Sequence, residues 1–218
     1  MGFAGSPNSD AQVDALVANP PELHIWGGEP RVGGMGGEVG HRLLRNIRSR
    51  PDADTFDVLE TGAGLSTLLF LALGATSLTS IDPTPGLLDR IIAEAGSREI
   101  DVRPLEYVEE RSELVLPKLL EDERRYDLCL IDGSHSWPTV FVDFCYANAC
   151  LRQNGLLLLD DVQLHSVRQL FLLLAAQPGY RLVGEQWDWK LAAFVKETRE
   201  PFLSQVQPFL ATSTGGPI

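Results

Sequence analysis

Three aspartates follow short apolar runs at two separate places in the chain. Asp132 ends a run that begins at Tyr126, and the pair Asp160 and Asp161 ends a run that begins at Gly155. Short continuous apolar runs bounded by turn residues are typical of strands buried on both faces of a parallel sheet. If the two strands are neighbours, their carboxyl ends lie about 4.8 Å apart.

Three carboxylates that close repel one another unless a cation lies among them. Oxygen-only ligands favour Mg²⁺, Mn²⁺ or Ca²⁺ over zinc or copper. The sequence therefore predicts a divalent metal site, with Mg²⁺ as the favoured ion, formed by Asp132, Asp160 and Asp161. The alternative is that Asp160 or Asp161 only caps the helix that follows.

A glycine-rich turn after an earlier strand pattern predicts a ligand site. It contains Glu60, Gly62, Ala63 and Gly64 and leads into a helix pattern. Glycines let the backbone approach a ligand closely, and a helix N-terminus offers free N–H groups. The third glycine of a dinucleotide fingerprint is missing, because position 67 is threonine. The acidic Glu60 suits a ligand with a positive charge, and a plain tight turn is the alternative.

Asp82 stands at the end of the next strand pattern. An acid about 20 residues beyond such a glycine turn can accept hydrogen bonds from both hydroxyls of a ribose. Thr84 is predicted to cap the helix that follows, with Pro85 at its first position, which leaves Asp82 free for a ligand. The ligand is therefore expected to contain a ribose.

Strand and helix patterns alternate from residue 57 onward. This alternation predicts an α/β fold, a doubly wound and mostly parallel seven-stranded sheet with an antiparallel closing hairpin at 180–196. The 218 residues fit a single domain, 1–218. Residues 1–22 are expected to be a flexible tail, and the glycine-rich segment 27–40 is either a lid or a plain linker to a helix. The predicted strands cover 58–60, 77–81, 100–105, 126–132, 156–160, 180–187 and 191–196, and the helix after the linker covers 41–48.

The composition argues against several kinds of partner. The formal net charge is −12, so no nucleic acid and no anionic membrane is expected as the main partner, because both need a basic face. No run approaches the ~20 apolar residues of a membrane span, and no signal peptide opens the chain. The three cysteines lie in apolar stretches and are expected to be buried, reduced thiols of a cytoplasmic protein. The sequence leaves a homo-oligomer open.

Together, these motifs resemble the class I S-adenosylmethionine-dependent methyltransferases, whose fold is Rossmann-like. The resemblance covers roughly residues 57–162 in that family's order and spacing, which is more specific than any one motif alone. It is carried by the glycine turn, by residues 81–83 and 115–119, by the strand and loop 126–135, and by residues 158–161.

The resemblance assigns roles in binding S-adenosylmethionine. It implies that Glu60 and the backbone of the glycine turn hold the methionine part of this cofactor. It also implies that Asp82 binds the ribose, that Ser112 meets the edge of the adenine, and that Asp132 contacts the cofactor as well as the metal.

Within that class, the three aspartates are similar to those of the small metal-dependent O-methyltransferases of the catechol type. That type has a lysine base three residues after its first aspartate, and this chain has His135 there. An ordinary imidazole, with a pKa near 6.5, can accept a proton at neutral pH, where lysine is already protonated. His165 is a second candidate base. The structural alternatives are that His135 orients its loop and that His165 only stands at the entry to a helix.

The resemblance implies methyl transfer from S-adenosylmethionine to an oxygen of a small hydroxylated molecule with adjacent oxygens. Four tryptophans could form walls of the acceptor pocket, although some are expected in the core: Trp26, Trp137, Trp187 and Trp189. Two alternatives are an enzyme of the same fold with another reaction, hydroxylase-like or aminopropyl transfer, and a non-catalytic S-adenosylmethionine-binding protein.

Overall fold

The computed structural model describes residues 7–33, 37–48, 56–183 and 190–198. Within these ranges the strands are β1 His24–Trp26, β2 Glu29–Arg31, β3 Asp57–Thr61, β4 Ser77–Ile81, β5 Leu105–Val108, β6 Tyr126–Ile131, β7 Leu151–Leu159, β8 Tyr180–Val183 and β9 Ala192–Lys196. The helices are α1 Pro7–Ala18, α2 Gly37–Arg48, α3 Leu65–Ala72, α4 Leu87–Ser97, α5 Ser112–Glu121, α6 Thr139–Cys150 and α7 His165–Ala175.

In the described part of the chain, seven strands form the main sheet in the order β5-β4-β3-β6-β7-β9-β8. The pairs from β5 to β7 are parallel, whereas β9 runs antiparallel to both β7 and β8. The predicted doubly wound sheet with a closing hairpin is thus confirmed. The chain reverses its winding direction between β3 and β6, and ligands of open α/β sheets bind beside such a point.

The sheet is buried on both faces, which explains its continuous apolar strands. In β7, Leu157 contributes to the core on one face and Leu158 to the core on the other, because successive side chains of a strand alternate. The first core contains residues of α1 to α4, and the second contains residues of α5 to α7. Right-handed crossovers in both directions produce this three-layer arrangement.

The prediction of a flexible tail over residues 1–22 is wrong for the part that the structure describes. Residues 7–18 form α1, and its side chains Val13, Leu16 and Val17 are buried in the first core. These three follow the i, i+3, i+4 spacing of an apolar helix face. The alanines and prolines around these three residues resemble the composition of a flexible tail, so the composition alone does not indicate the helix. Residues 1–6 lie outside the described ranges.

The glycine-rich segment is neither wholly a lid nor a plain linker. Its first part is the turn and second strand of the β1–β2 hairpin, and its last part forms the first turn of α2, which begins at Gly37 rather than at residue 41. Residues 34–36 lie outside the described ranges. The hairpin covers one side of the cavity described below.

Two strand boundaries differ from the sequence prediction. The third strand of the main sheet is Leu105–Val108, because Asp101 and Arg103 form a local turn with an ion pair before it. Strand β7 begins at Leu151, five residues before the predicted start, and its exposed residues 152–154 gave the appearance of a turn. No helix in the described ranges has the length and apolar character needed to cross a membrane.

Candidate active site

Backbone hydrogen bonds bring four predicted site residues to the carboxyl edge of the sheet. The bonds continue the parallel pairing one residue beyond each strand, at 2.9 to 3.2 Å. Parallel strand ends therefore align in space although they are far apart in the chain. The residues so placed are Gly62, Asp82, Asp132 and Asp160.

A cavity of about 680 Å³ opens at this edge. Its lining comes from the glycine turn, the end of β4, the start of α5, the loop after β6 and the β1–β2 hairpin. The predicted site residues in the lining are Gly62, Ala63, Gly64, Asp82, Ser112, Asp132, His135 and Asp161.

The glycine turn is packed directly against the neighbouring strand end. Gly62 has φ +83°, and a Cβ there would lie 2.2 Å from the backbone oxygen of Asp132. Only glycine fits, because any side chain would meet both the backbone strain and this clash. Helix α3 starts at Leu65, just past the turn. Its first N–H groups and the partial positive charge of its N-terminus lie at the cavity, where they can hold a ligand carboxylate.

Glu60 lies behind the turn, and the described lining of the cavity does not include it. Its carboxyl accepts hydrogen bonds from the hydroxyls of Ser66 at 2.7 Å, of Ser80 at 2.8 Å, and of Thr67. Burial raises the pKa of Glu60 to about 7, against the opposing effect of these hydroxyls. Glu60 therefore ties β3, β4 and α3 together under the turn, rather than reaching the ligand space itself.

Asp82 joins the glycine turn to the start of the α4 segment. Its Oδ2 accepts a hydrogen bond from the N–H of Ala63 at 3.1 Å, and its Oδ1 accepts one from the N–H of Thr84 at 2.8 Å. The predicted helix cap at Thr84 is wrong, since α4 begins at Leu87 after a left-handed Gly86. Asp82 still lines the cavity, and its remaining lone pairs can accept hydrogen bonds from ribose hydroxyls.

The carboxyls of Asp132 and Asp160 lie close enough to hydrogen bond to each other. Burial raises the pKa of Asp132 to about 7. The pKa of Asp160 is raised well above its ordinary value, by burial first and then by the negative charges of Asp132 and Asp161. The pair therefore needs a proton or another cation, as the sequence argument required.

His135 lies between the carboxyl groups of Asp132 and Asp161. Its Nε2 is 3.5 Å from Asp132 Oδ1, and its Nδ1 is 3.4 Å from Asp161 Oδ2. The hydroxyl of Ser166, at the start of α7, donates to the backbone oxygen of His135 and so fixes the loop. The imidazole is thus held at the cavity between two carboxylates, which can orient its ring.

Asp161 adopts a left-handed backbone conformation, φ +55°. This conformation is uncommon for a residue other than glycine, and such residues concentrate at functional sites. Asp161 Oδ1 accepts a hydrogen bond from the side-chain amide of Gln163 at 2.7 Å. The alternative that Asp160 or Asp161 caps α7 is wrong, because the capping residue is Leu164.

The donor atoms suit a hard divalent ion in their chemistry. Three carboxylates follow the ends of the neighbouring strands β6 and β7. Asp160 Oδ1 and His135 Nε2 are buried with no hydrogen-bond partner among the described residues. As the side chains stand, however, no three histidine, cysteine, aspartate or glutamate groups in the described ranges are arranged so that they could hold a metal ion. Binding of a divalent ion would therefore require a rearrangement of these side chains.

The structure separates the two candidate bases. His135 lines the cavity, whereas His165 is exposed at the first residue of α7 and is not in the described lining.

Ser112 lines the cavity, and its hydroxyl donates to Asp143 at 2.7 Å. Asp143 was not singled out from the sequence, although an acid in the largely apolar helix 139–150 is a detectable signal of a buried polar group.

The β1–β2 hairpin adds His24, which the sequence analysis did not single out, and Trp26, one of the four tryptophans predicted as possible pocket walls. His24 and Trp26 line the cavity, and His24 Nε2 would lie 2.8 Å from a Cβ at Gly64. Burial lowers the pKa of His24, which favours a neutral ring over the turn. Trp137 is 71% exposed, beside Phe141, while Trp187 and Trp189 lie outside the described ranges.

Comparison with known proteins agrees with this geometry. A family model described as a methyltransferase domain matches residues 59–162. That range includes the last three residues of β3, the glycine turn, Asp82, Ser112, His135 and the three aspartates. A comparison with curated proteins gives no significant match.

Solved structures with the same fold include enzymes of different substrate classes. TomG, an O-methyltransferase from Streptomyces achromogenes solved with S-adenosylmethionine, has 15% identity and a TM-score of 0.59 over 88% of this chain and 91% of its own. MycE, a methyltransferase of the mycinamycin pathway solved with Mg, S-adenosylhomocysteine and mycinamycin VI, has 15% identity and a TM-score of 0.57. The match covers 99% of this chain and 58% of MycE.

An rRNA methylase from Streptococcus thermophilus has 12% identity and a TM-score of 0.55 over 72% of this chain and 96% of its own. At these identities the likeness concerns the fold. The family match covers residues 59–162, which include most of the residues that line the cavity at the switch point of the sheet. The chain therefore carries a methyltransferase domain at residues 59–162, and its sheet has the fold of methyltransferases such as TomG.

Proposed function

We propose that the chain transfers a methyl group from S-adenosylmethionine to an oxygen of a small hydroxylated molecule, with help from a divalent metal ion. The observation that carries the proposal is the placement of His135 at the cavity, between Asp132 and Asp161. A base beside acidic, oxygen-rich groups suits an acceptor that must lose a hydroxyl proton.

The residues of the chain divide the work as follows. Asp82 and the backbone of the glycine turn align the cofactor, whose sulfonium carries the methyl group when the cofactor is bound. A divalent ion held by Asp132, Asp160 and Asp161 would lower the pKa of a coordinated hydroxyl. His135 would accept the proton of the acceptor's hydroxyl, with its ring oriented by the neighbouring carboxylates of Asp132 and Asp161.

A small acceptor agrees better with the charge of the site than a nucleic acid does. The described lining contains four acids, Asp82, Glu113, Asp132 and Asp161, and a single arginine or lysine, Arg111, which is paired with Glu113. The net charge of the chain is −12. Binding of RNA depends on neutralising its phosphates with basic side chains. TomG is involved in tomaymycin synthesis and MycE belongs to the mycinamycin biosynthetic pathway, and both support the small-molecule class.

Metal-independent transfer is the second candidate. It is favoured by the present arrangement, in which His135 lies between two carboxylates and no three candidate ligands in the described ranges are arranged to hold an ion. In this version Asp132 and Asp161 only orient His135 as the base. The cytoplasmic location remains a prediction from the sequence, which leaves a homo-oligomer open.

The test is turnover of S-adenosylmethionine with a panel of catechols, sugar diols and hydroxylated natural products, each with Mg²⁺ and with EDTA. If the ion assists, EDTA should lower the rate by about 10²-fold or more, and added Mg²⁺ should restore it. Asp160→Asn should lose the response to Mg²⁺, while Asp122→Asn, an exposed control at the end of α5, should keep it. Turnover that EDTA leaves unchanged would support the metal-independent candidate.

A further inference from the structure

Asp143 is a buried acid that the proposed mechanism does not use. It lies on α6, one turn after Thr139, which lines the cavity. Its side chain has no exposed surface. Asp143 Oδ1 accepts a hydrogen bond from the hydroxyl of Ser112 at 2.7 Å, and Oδ2 has no hydrogen-bond partner among the described residues. A buried carboxylate costs free energy, so its position beside a cavity-lining serine calls for an explanation.

The bond to Asp143 decides which hydrogen-bonding character Ser112 presents to the cavity. A serine hydroxyl has one proton to donate and two lone pairs that accept. An ionised carboxylate only accepts, so the single proton of Ser112 points to Asp143 and away from the ligand. The lone pairs of Ser112 then remain for the cavity. A ligand group that meets Ser112 must therefore be a hydrogen-bond donor.

The pKa of Asp143 leaves its carboxyl ionised, and therefore a hydrogen-bond acceptor, above pH 7. Burial raises the pKa of Asp143 to about 6, while the hydrogen bond from the hydroxyl of Ser112 lowers it. Above pH 7 the carboxyl is therefore mainly ionised. The other carboxylate close to Ser112 is Glu113, which is paired with Arg111. The hydrogen bond to Asp143 directs the single proton of Ser112 away from the ligand space.

The position of Ser112 indicates which part of the cofactor it meets. In the sheet order β5-β4-β3, the start of α5 follows β5, so Ser112 lies beyond Asp82 as seen from the glycine turn. A ribose held by Asp82, with its methionine part at the glycine turn, directs its base toward Ser112. The adenine base carries a 6-amino donor, whereas hypoxanthine carries an oxygen acceptor at the same place.

We propose that Asp143 is a positioning residue that fixes Ser112 as a hydrogen-bond acceptor and thereby selects the 6-amino group of adenine in the cofactor. This proposal rests on the assignment of Asp82 to the ribose in the proposed function. Hypoxanthine should be rejected because its 6-oxygen would face the lone pairs of Ser112. Neither that oxygen nor the hydroxyl oxygen of Ser112 would then have a hydrogen-bond donor.

The test compares the affinities of S-adenosylhomocysteine and its 6-oxo analogue, S-inosylhomocysteine, by isothermal titration calorimetry at pH 8. The unmodified chain should prefer the amino compound by about 10-fold or more, within the range expected for a lost buried hydrogen bond. Asp143→Ala and Ser112→Ala should each reduce the preference to about threefold or less. Asp143→Asn, which keeps a carbonyl acceptor for Ser112, should retain most of it.

The double variant Asp143→Ala, Ser112→Ala should show no further loss of preference beyond Ser112→Ala, because Asp143 acts through Ser112. If Asp143→Ala fails to fold, Ser112→Ala alone decides the outcome. Two outcomes would overturn this proposal only: equal binding of the two compounds by the unmodified chain, and an unchanged preference in Ser112→Ala. Failure to bind either compound would instead overturn the cofactor assignment on which the proposal rests.

Discussion

Replacing His135 with alanine should lower kcat for methyl transfer by about 10²–10⁴-fold, the range expected when a general base is removed. The reason is its position at the cavity, with Nε2 3.5 Å from Asp132 Oδ1 and Nδ1 3.4 Å from Asp161 Oδ2. The affinity for S-adenosylmethionine should stay within a few-fold, because the proposal assigns the binding of the cofactor to the glycine turn and Asp82. Single-turnover rates and calorimetry measure the two effects separately.

His165→Ala is the matched control for this prediction. His165 is exposed at the start of α7 and lies outside the described lining of the cavity, so its loss should change kcat by no more than a few-fold. A His135→Ala enzyme close to full activity would show that His135 is not the base. A large loss in His165→Ala would show that the loop before α7 moves to bring that residue into the site.

Gly62→Ala should abolish detectable binding of S-adenosylmethionine, a loss of about 10²-fold or more. Its new Cβ would lie 2.2 Å from the backbone oxygen of Asp132 and 2.6 Å from its backbone carbon. The backbone of the turn must shift away from β6 to relieve this overlap. Such a shift would move the cofactor-binding N–H groups and the carboxylate of Asp132 together. It should also lower the free energy of unfolding by roughly 1–3 kcal/mol.

Gly74→Ala is the control that separates the effect of the steric clash at Gly62 from the effect of a side chain at positive φ. Gly74 has nearly the same conformation, φ +84°, but no atom lies within 4 Å of a Cβ placed there. Its variant should lose only the roughly 1 kcal/mol associated with a left-handed backbone and should bind the cofactor normally. Thermal unfolding and calorimetry on both variants make the comparison. Equal stability and equal cofactor affinity in the two variants would contradict the close packing of the turn on β6.

The parts of the site that lie at strand ends could be predicted from the sequence. Asp82, Asp132 and Asp160 each follow directly after a strand pattern, and parallel pairing aligns such strand ends regardless of their distance along the chain. Gly62 could be predicted for the same reason, because a strand followed by glycines and a helix has few other conformations. The order of the motifs then fixed the fold class.

The parts that depend on long-range packing could not be predicted. His24 reaches Gly64 only because the β1–β2 hairpin folds over the turn, and no local pattern announces that contact. Likewise, Glu60 was assigned to the ligand from its position in the motif. Its engagement with Ser80 depends on the register between β3 and β4. Helix α1 could not be predicted because the composition of its segment is typical of a flexible tail and only three apolar residues follow the helical spacing.

The most direct test of the account is calorimetric titration of the chain with S-adenosylmethionine, alongside Asp82→Ala and the control Asp89→Ala. Asp82 lines the cavity and holds the N–H groups of Ala63 and Thr84, whereas Asp89 is exposed on α4. We expect binding by the unmodified chain, a loss of about 10²-fold or more in Asp82→Ala, and little change in Asp89→Ala. Absence of binding, or equal affinity in all three proteins, would contradict the placement of the cofactor at this edge of the sheet.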